Sequence, residues 1–178
     1  MTEAAENYVP VSASEIFHKQ ARKVWIISTV VVALWVLAIV IPPVLAAGGY
    51  TFISSPIYHF FSFICHQIPE RSFHFLENQL GVCSRCFGVY FGLLTGLCAY
   101  PFWRKVDSIE PLPRIWLFAA MVPIALDWTL GIFGIWENNH ASRFITGLIL
   151  GFGCATYIIP ALVEIVRNLS AKPEPNIR

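Results

Sequence analysis

Charge is scarce in this sequence. Only 13% of its 178 residues are Asp, Glu, Lys or Arg, about half the share of a typical soluble domain. Neither sign dominates, since 12 basic residues meet 11 acidic ones for a formal net charge of +1. That balance removes any bulk electrostatic case for a nucleic-acid partner. Cysteine is sparse and odd in number, 5 in all, so a fully paired disulfide framework is excluded. No polar stretch is long enough for a second domain. What remains is apolar: 56% of residues are hydrophobic and the mean hydropathy is +0.62, values that point to lipid rather than water as the solvent.

The apolar residues are gathered into runs. Residues 1–23 read as a cytoplasmic N-terminal segment, polar and loose to 14, with a short surface helix over 15–23 ending in Lys19, Arg22 and Lys23. Residues 24–47 carry no charge, and about 1.5 Å of rise per residue takes them across a bilayer core of roughly 30 Å. The run is too long for a signal peptide, and Leu45-Ala46-Ala47 is a poor cleavage site, so it reads as a retained anchor. Pro42 and Pro43 lie near its far end. Residues 48–55 read as a turn. Residues 56–64, P-I-Y-H-F-F-S-F-I, are too short to span and read as an interfacial or re-entrant helix. A polar excursion covers 69–81. Further spans are expected over 83–103, 115–135 and 143–166, with a polar tail at 167–178. The expected fold is all-α: four transmembrane helices plus the short helix before Cys65. Residues 24–166 form one membrane domain with outer loops 48–82 and 136–142.

Four spans place both ends on one side. Lys19, Arg22, Lys23, Arg104, Lys105, Arg114, Arg167, Lys172 and Arg178 fall on that side, and only Arg71, Arg85 and Arg143 on the other. The positive-inside rule then predicts a multi-pass protein of the cell (inner) membrane with both termini in the cytoplasm. Glycine adds a packing signal. Gly88, Gly92 and Gly96 recur every fourth residue on the second span, as do Gly147, Gly151 and Ala155 on the fourth. Small residues at that spacing let backbones approach closely. Either these two helices touch, or one stripe faces a second copy or a membrane partner. Cys98 and Cys154, in the same two spans, read as buried small apolar residues.

The reactive side chains gather at the outer end. Cys65, His66, Cys83 and Cys86 fall there, as do Arg71, Ser72 and Arg85. Asp127 lies about 18 Å along its helix from the cytoplasmic end, in the outer half of the bilayer. An acid at such depth is costly and usually faces an interior or a wet cavity. Arg143, at the outer start of the next span, is its expected partner. The pair reads either as catalytic, with Asp127 as base or charge partner, or as a structural ion pair.

The sulfurs admit three readings. The first is a metal site. Cys83-x-x-Cys86 is the two-thiolate knuckle of many zinc sites, and thiolate with imidazole suits zinc. Cys65 and His66 are adjacent, and adjacent side chains diverge on a helix or strand, so gripping one ion together requires a bend. A position left open makes such a site catalytic rather than structural. The second reading is thiol–disulfide exchange through Cys83 and Cys86, with no bound cofactor, favoured by Arg85 and a helix N-terminus beside the thiols. The third is a disulfide that staples the outer loop. Arg71, Ser72 and Arg143, with Arg85, form a candidate clamp for an anion such as a lipid phosphate, which makes membrane lipid the expected partner; each arginine also reads as ordinary snorkelling.

Four blocks carry a resemblance. C-H-Q-x-P-E-R-S-F, Q-L-x-V-C-x-R-C-x-G-x-Y-x-G, an intramembrane D-W, and an amide ahead of R-x-x-T-G follow in order through residues 62–151. Together they resemble the small prokaryotic membrane proteins grouped as domain of unknown function 2085. Cys65, His66, Gln67, Arg71, Ser72, Cys83, Arg85, Cys86, Asp127, Arg143 and Thr146 fall on the pattern, with Asn138 or Asn139 as the amide. Phe87 stands where a small or hydroxyl residue is expected. The resemblance implies the site and no particular reaction. The expected function is an outward-facing Cys/His site, zinc-like, beside an intramembrane Asp/Arg pair and acting on or binding a lipid head group. Arg85 and Arg143 join Asp127 as its candidate catalytic residues.

Overall fold

The structure is a computed structural model that describes residues 11–170. Residues 1–10 of the stretch expected to be loose, and the tail beyond 170, lie outside the described residues; the helix already begins at Val11. Five helices carry the fold: α1 (Val11–Ala47), α2 (Thr51–Ser62), α3 (Ser84–Trp103), α4 (Ile115–Ile132) and α5 (His140–Ser170). All but α2 are long and apolar enough to cross a membrane. The fold is all-α with four candidate spans, and the fifth, short helix precedes Cys65 as expected.

The surface helix and the first span are one element. α1 has 37 residues, because no glycine and no proline interrupts the chain between Val11 and Ile41. Pro42 and Pro43 do not break it. They sit in its last turns and are fully buried. Proline has no N–H to give the carbonyl four residues back, so Pro43 frees the Ile39 carbonyl. Gly81 takes it, its N–H donating to Ile39 O at 3.0 Å. The chain just before Cys83 is thereby docked on the end of α1.

α2 follows a tight turn at Gly48–Gly49, where Gly49 has a φ of 80°. Its helix begins inside the stretch expected to be a turn. At 12 residues it reaches about 18 Å, too short to cross. It leaves Phe52 91% exposed, while Phe61 is buried against Ile39, Cys65, Leu80 and Val82.

The polar excursion contains a hairpin. β1 (His74–Phe75) pairs antiparallel with β2 (Asn78–Gln79). Leu76 and Glu77 turn it with φ of 50° and 64°, the left-handed pair of a type I′ turn.

α3 and α5 form the tightest helix pair, and the glycine stripes are the reason. A Cβ on Gly88 would strike the Phe144 carbonyl, one on Gly92 the Leu148 carbonyl, and one on Gly151 the Val89 carbonyl. The stripes therefore close on each other within one chain. Cys98 departs from expectation: it is exposed on α3, while Cys154 is half-buried. α4 leans mainly on α5, and among its residues only Asp127 is buried. At the end where α1 begins and α5 finishes, His18 meets Asp107 at 3.2 Å and the Tyr157 hydroxyl donates to Pro113 O at 2.8 Å. Cys65, Cys83 and Cys86 lie at the opposite end.

Candidate metal centre

Three cysteines from two segments meet. Cys83 is the N-cap of α3, extended at φ −65° and ψ 160°, and Cys86 lies in the first turn of that helix. The C-x-x-C spacing puts both thiols at the positive end of the helix dipole, which favours thiolate. Cys65 comes from the loop after α2. Its sulfur accepts the Cys83 N–H at 3.2 Å. The three Sγ atoms lie within 4.8 Å of one another, and all five cysteines are free thiols. Hydrogen bonds from the Cys83 and Cys86 thiols hold the Cys65 pKa far below the usual thiol range, against the opposing effect of burial.

Gln67 turns the chain just after Cys65 and His66. It adopts φ 48°, a left-handed conformation uncommon outside glycine. Its side-chain amide holds that conformation by donating to Tyr58 O and Gly81 O, both at 2.8 Å. Adjacent side chains diverge, and of Cys65 and His66 it is Cys65 that is buried. His66 stays exposed and lines the neighbouring cavity without joining the sulfur group. The expected Cys/His set is thus a cluster of three cysteines. A fully tetrahedral zinc with Zn–S near 2.3 Å needs sulfurs about 3.8 Å apart, compatible with the observed spread. A trio of cysteine sulfurs, one buried and two half-buried, also matches the preference of soft ligands for zinc over magnesium or calcium.

A cavity of about 530 Å³ opens beside the sulfurs, bordered by Cys65, Cys83 and Cys86 together with Arg71, Arg85 and Arg143. Asp127 takes a different partner from the one expected. Arg85, not Arg143, forms the ion pair with its Oδ2. Arg85 projects from the first turn of α3 straight toward α4, whereas Arg143 is intercepted. Its Nη2 donates to Asn138 Oδ1 at 2.7 Å, and the Asn138 amide donates onward to Asp127 O at 2.9 Å and Oδ2 at 3.3 Å. Arg143 therefore reaches Asp127 through an amide relay. Of the two candidate amides, Asn138 joins the site; Asn139 instead caps α5, its Oδ1 accepting the Ser142 N–H at 2.8 Å. Ser72 is fully buried and donates to Ile68 O at 2.9 Å, so it shapes its own loop and does not border the cavity.

Three contributors, Trp128, Gly131 and Ser84, were not assigned to the site from the sequence. Trp128 and Gly131 border the cavity from α4, and Ser84 bonds His140 Nδ1 at 3.0 Å, tying the start of α5 to the C-x-x-C turn. Ser84 is fully buried, and only the D-W block hinted at Trp128.

Relatives share this architecture in sequence. An uncharacterized protein of Methanocaldococcus jannaschii is 38% identical over 151 residues, 82% of this chain and 96% of its own. An uncharacterized protein of Methanothermobacter thermautotrophicus is 38% identical over 110 residues, 61% of this chain and 92% of its own. No solved structure matches the chain. The family described as predicted membrane protein (DUF2085) matches residues 65–157, a stretch that opens on Cys65 and takes in Cys83, Cys86, Asp127 and Arg143. This chain belongs to that family of membrane proteins.

Proposed function

We propose that Cys65, Cys83 and Cys86 hold one zinc-class ion as three thiolate ligands, with the fourth position facing the arginine-lined cavity. The observation that carries this reading is the meeting of three sulfurs within 4.8 Å from segments 18 residues apart in sequence. Folding spends a strained Gln67, two amide hydrogen bonds and the Ile39–Gly81 contact to bring Cys65 there. Bound zinc polarises an oxygen ligand or lowers the pKa of a bound water. Asp127 positions Arg85, and Arg85 with Arg143 supplies positive charge at the cavity wall. His66, on the cavity border, is available to a ligand rather than to the ion. The excess of basic residues near the termini supports placing the centre on the side facing away from the cytoplasm.

Metal analysis of the purified protein tests this. About one ion per chain is expected in the wild type and in His66→Ala, and none in Cys65→Ser or Cys86→Ser. A wild type without stoichiometric metal overturns it.

The same three free thiols favour a second reading. Cys65, whose pKa is lowered by hydrogen bonds from the neighbouring thiols, lies beside Cys83 and Cys86. This arrangement is suited to thiol–disulfide exchange in which one cysteine attacks a partner's disulfide and a neighbour resolves the mixed disulfide, releasing the partner reduced. Mass spectrometry after alkylation, with and without reductant, distinguishes it. A disulfide among these three that forms and reopens under mild redox conditions in the metal-free protein supports exchange. Thiols released only by chelation support the metal.

A further inference from the structure

We infer that the cavity binds the phosphate-type head group of a membrane amphiphile, held by Arg71 and Arg143 with the apolar part leaving over the cavity rim. This deepens the metal-centre reading, and rests on it for one contact, a head-group oxygen in the open coordination position.

Charge accounting carries the inference. Three guanidinium groups border the cavity. The two ion pairs among the described residues are His18–Asp107 and Arg85–Asp127, so one carboxylate serves the cavity and Arg85 has it. Arg143 is held by a neutral amide, and Arg71 has no carboxylate partner among the described residues. Two uncompensated cations thus share one pocket at the end of a membrane bundle. Like charges so placed repel unless an anion joins them. Arginine's planar fork matches phosphate oxygens and binds them by charge-assisted hydrogen bonds. The Asn138 relay fixes the Arg143 guanidinium in advance, which lowers the ordering cost of binding.

The rim identifies the rest of the ligand. Ile64, Ile68, Trp128 and Ile132 border the same cavity, and each is exposed, Ile132 by 60% and Trp128 by 57%. They come from the loop after α2 on one side and from the end of α4 on the other. A soluble anion gains nothing from such a border. An amphiphile places its anionic head on the arginines and its chain along these side chains, where burial of each CH₂ is worth about 0.8 kcal/mol.

The test uses the purified full-length protein in a neutral maltoside detergent. Calorimetric titrations with dodecyl phosphate, inorganic phosphate and dodecyltrimethylammonium separate head from tail. Dodecyl phosphate is expected to bind roughly tenfold or more tighter than either control. Arg71→Gln and Arg143→Gln are each expected to weaken it by roughly tenfold, the value of one charge-assisted contact. Arg71 is an exposed residue at the end of a single 3-10 turn, Pro69–Arg71, so its substitution is expected to leave the fold intact, which circular dichroism checks. Equal binding of inorganic phosphate, or of the cationic amphiphile, overturns the inference. So does unchanged affinity in both arginine variants. Metal content is measured on the same samples. A metal-free wild type whose dodecyl phosphate affinity still depends on Arg71 removes the metal centre and leaves the head-group site standing. A metal-loaded protein indifferent to both arginines removes the head-group site alone.

Discussion

The Gly81 N–H donates to the Ile39 carbonyl at 3.0 Å, the acceptor that Pro43 leaves vacant four residues on. A proline in a membrane helix is tolerated where another group satisfies the freed carbonyl. Here that group belongs to the loop ending at Cys83, so a helix defect becomes an anchor for the sulfur cluster.

Replacing Pro43 by Ala restores an N–H that competes for Ile39 O. The expected result is a weaker hold on Gly81, by about 1 kcal/mol, read as roughly fivefold faster hydrogen exchange at the Gly81 amide. Unchanged exchange shows that the hairpin is docked by its side chains alone.

Gly96 and Gly92 respond differently to added bulk. A Cβ on Gly96 would lie 2.7 Å from the Ala155 Cβ and 3.0 Å from the Phe152 carbonyl oxygen, so Gly96→Ala is destabilising and Ala155→Gly recovers part of the loss. A Cβ on Gly92 meets the Leu148 backbone, and no change of the Leu148 side chain relieves that. Gly92→Ala is expected to cost about 1–3 kcal/mol as overpacking and to stay uncorrected. Thermal unfolding of the single and double variants in detergent checks both.

Removing one member of the Arg85–Asp127 pair leaves a charge without its partner. Asp127→Asn is expected to destabilise the protein by about 3 kcal/mol, toward the lower end for breaking a buried pair, because Arg85 retains partial access to the cavity. The double change Arg85→Met with Asp127→Leu is expected to lie closer to the wild type than either single variant. Equal additive losses in the cycle contradict a direct pair.

Orientation is checked by adding single reporters to the native chain. Glu77→Cys, at the exposed hairpin turn, is expected to react with an impermeant maleimide in intact cells. Lys105→Cys, in the exposed loop between α3 and α4, is expected to react only after lysis. The opposite pattern places the sulfur centre in the cytoplasm.

The spans were legible because their apolar runs are long and lipid leaves helix as the simplest way to satisfy the backbone. The α3–α5 contact was legible in the same sense, through glycines at four-residue spacing. Other features depend on three-dimensional direction. Depth along the helices put Arg143 level with Asp127, but which arginine faces the acid is set by the rotation of α3 and by Asn138 standing between. The turn at Gln67, just after Cys65 and His66, is held by two side-chain hydrogen bonds to distant carbonyls. The hairpin lacked its usual signal, since Leu76 and Glu77 occupy turn positions that normally call for Asn or Gly. Fusion of the surface helix with the first span follows from a missing breaker, which composition of the separate stretches conceals.

The sulfur coordination itself is the most direct test. X-ray absorption at the zinc edge of the purified, zinc-loaded protein is expected to show three sulfur neighbours at about 2.3 Å and one lighter nitrogen or oxygen neighbour. Dodecyl phosphate is expected to change only the lighter neighbour. A shell of nitrogen and oxygen alone, or one unaltered by Cys65→Ser, contradicts a three-cysteine centre.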